Sequence, residues 1–133
     1  LELGYRTSCI PSRGYIVLEA VYELRPGDRG AIEERMRELA ARRREKQPLE
    51  YPSAGSTFKR PQGYFAGKLI EDAGLRGYQV GGAQVSEKHC GFVINKDHAT
   101  AGHVMELCSH IRKTVKEISG VELEMEVKRW GEF

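Results

Sequence analysis

The sequence lacks long apolar segments and a strong net charge. No run of apolar residues approaches the roughly 20 that a membrane-spanning helix requires, and the first residues do not show the basic and then apolar pattern of a secretory signal. The 21 lysines and arginines nearly balance the 19 aspartates and glutamates, and the resulting net charge of +2 argues against a general polyanion binder. We therefore expect a cytoplasmic protein that binds neither membranes nor nucleic acid.

Cysteines and aromatic residues are also few. Cys9, Cys90 and Cys108 are odd in number and show no Cys-x-x-Cys spacing, so neither a disulfide framework nor a structural zinc site is expected. His103 and His110 offer no metal-ligand spacing with a second cluster, and no metal is predicted. Aromatic residues make up only 8% of the chain, which is few for a surface that stacks nucleotide bases.

Hydrophobic periodicity in the first half of the chain indicates a strand and then two helices. The apolar run from Tyr15 to Leu24 lies between glycine and proline signals and is typical of a strand. Asp28 can cap a helix that extends to about Glu45, and its apolar residues follow helical spacing: Ile32, Met36, Leu39 and Ala40. A short second helix begins near Ala66 and ends before Gly74, where a left-handed C-terminal cap is expected.

The second half of the chain adds strands and the longest helix. Residues 84–86 and 92–95 form two short predicted strands joined by a turn. A helix is predicted over Ala101–Ile118, with Thr100 as its cap and Gly120 at its end, and a period-two strand over Val121–Lys128. These elements predict one α+β domain over about residues 25–133, with helices packed on one face of a small mixed or antiparallel sheet.

The chemistry of the chain is concentrated between Tyr51 and Pro61. Proline residues at both ends restrict the backbone, and Gly55 permits a tight turn or the close approach of a ligand. We therefore expect a rigid loop that exposes the Ser56 hydroxyl. With Lys59, Arg60 and backbone N–H groups, this hydroxyl can converge on an anionic ligand. The same residues also suit an ordinary turn, and the residues alone leave both interpretations open.

Several motifs, taken together, resemble one enzyme family. They are Tyr5-Arg6-Thr7-Ser8, the Tyr51–Pro61 stretch, and residues 66–71, 81–86, 91–95 and 123–127. In this order and at these spacings they resemble the UDP-N-acetylenolpyruvoylglucosamine reductases, flavoenzymes of peptidoglycan synthesis. The chain is similar to the shorter branch of that family, because no room exists between Pro61 and Ala66 for the extra tyrosine-bearing loop of the other branch.

The resemblance implies an oxidoreductase that uses NADPH and FAD to reduce UDP-N-acetylglucosamine enolpyruvate to UDP-N-acetylmuramate. Residues 1–24 would then end the preceding flavin-binding domain, and residues 25–133 would form the C-terminal substrate-binding domain. The flavin-binding domains would lie N-terminal to Leu1. We therefore expect a fragment that is inactive alone and assign no FAD contact to it. Its partners would be the enolpyruvyl substrate and those missing N-terminal domains.

The resemblance also assigns catalytic roles to three residues. Ser56 would donate a proton to C2 of the substrate. The guanidinium of Arg6 would stabilise the carboxylate of the enolate that forms there. Glu126 would assist in its protonated form. It is chosen over Glu122 and Glu124 because the family's catalytic carboxylate precedes a valine and a basic residue, here Val127-Lys128.

Six further residues are expected to contact the substrate, most of them by the same resemblance: Tyr5, Lys46, Lys59, Arg60, Arg76 and His89. Lys46 lies in the family's Lys-x-Pro element, and Arg76 lies where the family has a cationic contact. The family does not always have histidine at the position of His89. Thr7 departs from the commoner acidic or polar residue of the Tyr-Arg-x-Ser element, while the arginine is retained.

Other functions compete on the residues alone. A non-catalytic module would use Arg42–Lys46, Lys59 and Arg60 as a basic patch for RNA or nucleotide phosphates, with steeply salt-dependent binding. A serine hydrolase would need Gly-x-Ser-x-Gly and a His–Asp partner, which the sequence does not show. The glycine-rich residues 75–83 lack the strand, G-x-G-x-x-G and helix order of a dinucleotide site.

Overall fold

The computed structural model describes residues 1–131 and contains four helices and four strands within them. The helices are α1 (Cys9–Ser12), α2 (Arg29–Lys46), α3 (Ala66–Asp72) and α4 (Ala101–Ser119). The strands are β1 (Ser53–Ser56), β2 (Gln79–Val80), β3 (Ala83–Val85) and β4 (Phe92–Asn95). The chain divides into two compact units, Leu1–Arg35 and Met36–Phe133. The domain boundary expected near residue 24 stays a prediction.

The second unit is built on a four-stranded sheet in the order β1-β4-β3-β2. Every neighbouring pair is antiparallel, with Val85 opposite Val93 and Val80 opposite Ala83. Helix α4 packs against β2 and β3, and α3 packs against α4. The predicted α+β class, a small sheet with helices packed against it, is therefore confirmed.

The core of the second unit lies between α4 and the sheet. The apolar spacing of α4 predicts a buried stripe that comprises Val104, Leu107, Cys108, Ile111, Val115 and Ile118. Its four central members are buried, whereas Ile118 is 62% exposed. The core also contains side chains from the strands, α3 and the connecting segments, among them Phe58, Ile70, Val85, Val93 and Leu123. Complete burial of one Leu or Ile side chain stabilises the folded state by about 1.5–3 kcal/mol, so this cluster fixes the sheet that carries the site described below.

The ends of α4 follow the predicted capping residues. The Thr100 hydroxyl accepts a hydrogen bond from the backbone N–H of His103, and the His103 ring accepts one from the Thr100 N–H, which completes a capping box. Gly120 closes the helix in a left-handed conformation at φ 72°. Gly74, predicted after α3, likewise has φ 72°. Local sequence therefore determines both helix ends.

The strand predicted over Tyr15–Leu24 is wrong. This segment contains no strand and carries exposed apolar side chains, with Leu18 93% and Val21 88% exposed. A strand requires a neighbouring strand for its backbone hydrogen bonds, and apolar alternation alone does not supply one. The predicted apolar stripe of α2 is likewise not buried, because the helix has no buried residue.

The strand predicted over Val121–Lys128 is reduced to a single bridge, in which Met125 pairs with Phe58. The backbone N–H of Lys59 donates to Glu124 O at 2.8 Å, and that of Glu126 donates to Thr57 O at 2.9 Å. The inward alternation holds at Leu123, which is buried. The observed pairing is therefore much shorter than the predicted strand.

Candidate active site

Ser56 is the last residue of β1, at the edge of the sheet. Ser53 lies opposite Ile94 and Ser56 lies opposite Phe92, so β1 has one more residue than β4 between these pairs. Such a β-bulge redirects side chains at a sheet edge. Gly55 lies within it at φ +85°, a conformation that glycine adopts without steric cost. The predicted loop is therefore a short bulged strand, and it does expose Ser56.

Thr57 anchors the chain directly after this serine. It is only 3% exposed. Its backbone N–H donates to Gly91 O at 2.9 Å, and its hydroxyl accepts a hydrogen bond from Val93 N at 3.0 Å. Both partners belong to β4 or to the residue before it, so Thr57 is held firmly on the sheet. Ser56 thus extends from a backbone fixed by its next neighbour.

Glu126 lies beside this anchored segment. The Phe58–Met125 bridge places Glu126 opposite Thr57, and the 2.9 Å hydrogen bond from Glu126 N to Thr57 O closes that pair. The carboxylate oxygen Oε2 of Glu126 is buried. Of the three glutamates of this segment, Glu122 and Glu124 are exposed and Glu126 is half-buried. The structure therefore brings the segments of two predicted catalytic residues, Ser56 and Glu126, together.

A cavity of about 450 Å³ opens beside Ser56. Its lining comprises Arg43, Gln47, Leu49, Tyr51, Pro52, Ser53, Gly55, Ser56 and Phe92. On α2, Arg43 Nε donates to Gln47 Oε1 at 3.1 Å. The wall facing the serine therefore offers a guanidinium, an amide and a phenol, groups that can bind a polar, anionic ligand.

Arg43 and Gln47 were not among the predicted site residues. Arg43 was named only within the alternative basic patch Arg42–Lys46, and Lys46, the residue selected from it, is exposed and does not line this cavity. A spacing of four residues places Gln47, the residue after α2, on the face of the helix that carries Arg43, whereas Lys46 lies one residue off that face. This spacing, together with the closeness of Gln47 to the serine stretch, was the available signal.

The other predicted cations of this unit also lie outside that cavity lining. Lys59 forms an ion pair with Glu124. The guanidinium of Arg60 lies 4.0 Å from the centre of the Phe65 ring, and its Nε donates to Tyr64 O at 3.3 Å. Arg60 is thus held by its own segment and Lys59 by a distant carboxylate, and neither side chain lines the cavity beside Ser56.

Arg76 contacts the turn between β3 and β4, and His89 lies within that turn. Arg76 donates to Glu71 Oε1 at 2.6 Å and to Glu87 O, and the hydrogen bond with Glu71 raises the pKa of Arg76. The exposed His89 ring accepts a hydrogen bond from Gly91 N through Nδ1 at 3.0 Å, so Nε2 carries the proton of its neutral form. Each therefore retains hydrogen-bonding capacity toward solvent.

Tyr5 and Arg6 belong to the first unit. Gly4 and Thr7 pair across them through backbone hydrogen bonds of 3.0 and 3.3 Å. Arg6 occupies the left-handed region at φ 54°, and its guanidinium lies 5.6 Å from the centre of the Tyr5 ring. The tip of a tight turn thus presents both side chains, and their predicted roles stay predictions.

A second cavity, of about 490 Å³, lies against β1, the start of α4 and the chain after Glu126. Apolar groups from Ala54, Val93, Val104 and Val127 line it together with the exposed Lys128, Arg129 and Trp130. Ser53 borders both cavities. The bulged strand thus separates a polar cavity from a more apolar one.

The glycine-rich stretch does not fit a dinucleotide. A Cβ atom at Gly82 would lie 1.8 Å from Asp97 O, and one at Gly81 would lie 2.4 Å from His103 Nδ1. These glycines therefore permit close packing of the chain on itself and leave no space for a pyrophosphate.

Two buried cysteines have thiols with raised pKa values. Burial raises the pKa of the Cys108 thiol to about 11, and burial also raises that of Cys90, so both thiols are poor nucleophiles at neutral pH. No group of three or more metal-ligating side chains occurs among the described residues. Within the same residues, no helix has the length and apolar character to cross a bilayer.

Comparisons with known proteins identify the family. Residues 47–130 match the C-terminal domain of UDP-N-acetylenolpyruvoylglucosamine reductase. The enzyme of that name from Agathobacter rectalis is 62% identical over 133 residues, which is 100% of this chain and 42% of the relative. The one from Clostridium perfringens is 59% identical over 131 residues, which is 98% of this chain and 43% of the relative.

A solved structure supports the same family assignment. The crystal structure of the reductase from Thermus caldophilus matches with a TM-score of 0.79 and 36% identity, over 98% of this chain and 46% of that one. The chain thus spans under half the length of the relatives that it matches. The matched region includes β1, which carries Ser56, and Glu126, which pairs with Thr57. The chain belongs to the UDP-N-acetylenolpyruvoylglucosamine reductase family, whose C-terminal domain it contains.

Proposed function

We propose that this chain is the substrate-binding part of a cytoplasmic, flavin-dependent reductase that uses NADPH to convert UDP-N-acetylglucosamine enolpyruvate to UDP-N-acetylmuramate for peptidoglycan synthesis. The observation that supports it most is the exposed Ser56 on a bulged strand beside a polar cavity, with Glu126 on the segment paired to the next residue. FAD and NADPH would bind in the part of the relatives that this chain does not match.

In this proposal the side chains of the chain manage charge and one proton. A hydride supplied by the flavin when it is bound would add to C3 of the enolpyruvyl double bond and leave negative charge on C2 and its carboxylate. Ser56 then protonates C2. Arg6 binds the carboxylate through its guanidinium, and Glu126, protonated, donates a hydrogen bond to it. Arg43 and Gln47 add donors on the wall of the Ser56 cavity. Tyr5, Lys46, Lys59, Arg60, Arg76 and His89 stay predicted substrate contacts.

The alternative, a basic module for RNA, has less support. The basic end of α2 shares its helix with acidic partners, because Arg42 pairs with Glu38, and Lys59 pairs with Glu124. A surface that binds phosphates through counterion release needs cations directed outward and stacking aromatics. Arg60 already stacks on Phe65 within its own segment.

A chimera tests the proposed function. The N-terminal part of the Agathobacter rectalis reductase, which this chain does not match, is joined to residues 1–133 of this chain. We expect a yellow, FAD-binding protein that oxidises NADPH only when the enolpyruvyl substrate is present. A folded chimera that binds FAD but shows no substrate-dependent oxidation contradicts the proposal, and a chain that binds a short RNA with steep salt dependence favours the alternative.

Substitution of Glu126 should separate hydrogen bonding from charge. In the chimera, Glu126→Gln should retain part of the activity because an amide still donates a hydrogen bond. The kcat of Glu126→Ala should be about 100-fold lower than that of Glu126→Gln. Steady-state kcat measures both. Glu124→Gln is the control, since Glu124 is exposed and pairs with Lys59. Loss of activity in Glu124→Gln with an unaffected Glu126→Ala would transfer the role to Glu124.

A further inference from the structure

Lys88 connects the turn between β3 and β4 with the end of α2. Its ammonium lies 3.3 Å from Arg44 O and 3.5 Å from Gln47 O, carbonyls of the last helical turn and of the residue after it. It also forms an ion pair of 2.9 Å with Glu50. The last carbonyls of a helix have no partners within it, and a lysine there both satisfies them and complements the helix dipole.

The turn that carries Lys88 is itself fixed. Ser86, 1% exposed, accepts hydrogen bonds through its hydroxyl from the backbone N–H groups of Lys88 and His89 at 3.2 and 3.3 Å. The Lys88 ammonium is therefore supported from the sheet, while its contacts are on the helix. The Lys88 side chain therefore restrains the end of α2 relative to the sheet.

The helix end that Lys88 holds is the wall of the Ser56 cavity. Arg43 lies in the same last turn of α2, and Gln47 contributes both its carbonyl to Lys88 and its side chain to the cavity. Ser56 and Phe92, which pair with each other on the sheet, line the same cavity. The separation between the two walls thus depends on the contact between Lys88 and α2.

We propose that Lys88 is a positioning residue that holds Arg43 and Gln47 at binding distance from a ligand beside Ser56. It does not contact the ligand. As a statement about substrate binding this rests on the proposed function, whereas the restraint on α2 is independent of it. Lys88→Met removes the charge and keeps most of the apolar stem, and Lys88→Arg keeps a donor for the same carbonyls.

The restraint is tested on the 133-residue chain by amide hydrogen exchange. Lys88→Met should increase exchange at residues 44–51, because the last turn of α2 loses its cap, and leave the α4 amides unchanged. The matched control is Lys68→Met, which breaks an exposed ion pair of 2.6 Å with Asp72 on α3 and should leave residues 44–51 unchanged. Exchange at residues 44–51 that is equal in the wild type and Lys88→Met overturns the proposal.

The effect on binding is tested in the chimera. Lys88→Met should raise the KM for the enolpyruvyl substrate about tenfold and leave kcat and the KM for NADPH nearly unchanged. Lys88→Arg should keep the KM for the enolpyruvyl substrate close to the wild-type value. In an Arg43→Ala background, Lys88→Met should raise this KM by much less than tenfold, because Lys88 acts on the substrate partly through Arg43. A full additional tenfold effect in that background overturns the proposal. An inactive wild-type chimera instead contradicts the proposed function, and hydrogen exchange still decides the restraint.

Discussion

Replacement of Ser56 by alanine in the chimera should lower the rate at which the enolpyruvyl substrate reoxidises the reduced protein by about 10³-fold, a typical contribution of a general acid. Reduction by NADPH should remain near the wild-type rate, since it needs no proton from β1. Stopped-flow absorbance at the flavin wavelength, with the two half-reactions run separately, measures both. Ser56→Cys should recover part of the loss, because a thiol is a stronger acid than a hydroxyl.

The control for this experiment is Ser53→Ala. Ser53 lies on the same strand and borders the same cavity, and its hydroxyl accepts a hydrogen bond from Gly55 N at 3.4 Å. A substitution there disturbs the bulge without removing the proposed acid, so we expect a loss below about tenfold. If Ser56→Ala slowed both half-reactions equally, or neither, Ser56 would act only through the backbone of the bulge.

The sequence predicted the elements whose signals are local. Helix α4 carries an apolar stripe and cap residues at both ends, and the structure places the caps Thr100 and Gly120 as predicted. The stripe is buried as predicted except near the C-terminal end, where Ile118 is 62% exposed. The helix α3 and its glycine end, and the strands β3 and β4, follow for the same reason. In each of these elements, the residues that determine the conformation lie within the element or next to it.

Elements that depend on a distant partner were harder to predict. β1, with the sequence Ser-Ala-Gly-Ser, has little intrinsic strand preference and becomes a strand because β4, nearly 40 residues later, supplies its hydrogen bonds. The apolar Tyr15–Leu24 run has the opposite property, with strong local preference and no strand partner in the described chain. Local preference and available pairing are therefore separate requirements.

The site shows the same division. The resemblance selected Ser56 and Glu126, and the pairing of residues 57–59 with 124–126 brings their segments together. No local sequence pattern predicts that pairing. Charge counting could not show that Lys59 pairs with Glu124 or that Arg43 faces the cavity. Which cation faces a ligand depends on helix rotation and on carboxylates far along the chain.

Gly82 is the position at which a single methyl group should destabilise the second unit most. The residue lies buried in the turn between β2 and β3. Its carbonyl accepts hydrogen bonds from Lys96 N at 2.9 Å and Asp97 N at 3.1 Å, and its N–H donates to His103 Nδ1 at 3.3 Å. One residue thus joins the sheet, the loop after β4 and the capping histidine of α4.

Gly82→Ala should lower the free energy of unfolding of the chain by about 3 kcal/mol, the upper range for overpacking. The added Cβ would lie 1.8 Å from Asp97 O and 2.6 Å from Ala99 N, both backbone atoms, so relief requires the loop to move and the hydrogen bonds around Gly82 and His103 to break. Urea unfolding followed by circular dichroism measures the change as a lower midpoint at constant slope.

Gly102→Ala is the matched control: its nearest contact is an ordinary 3.5 Å to the Thr100 hydroxyl, and alanine is favoured over glycine in a helix, so its midpoint should stay equal or rise. Equal midpoints for Gly82→Ala and the wild type would show that the contact between the β2–β3 turn and the loop after β4 is looser than the structure places it.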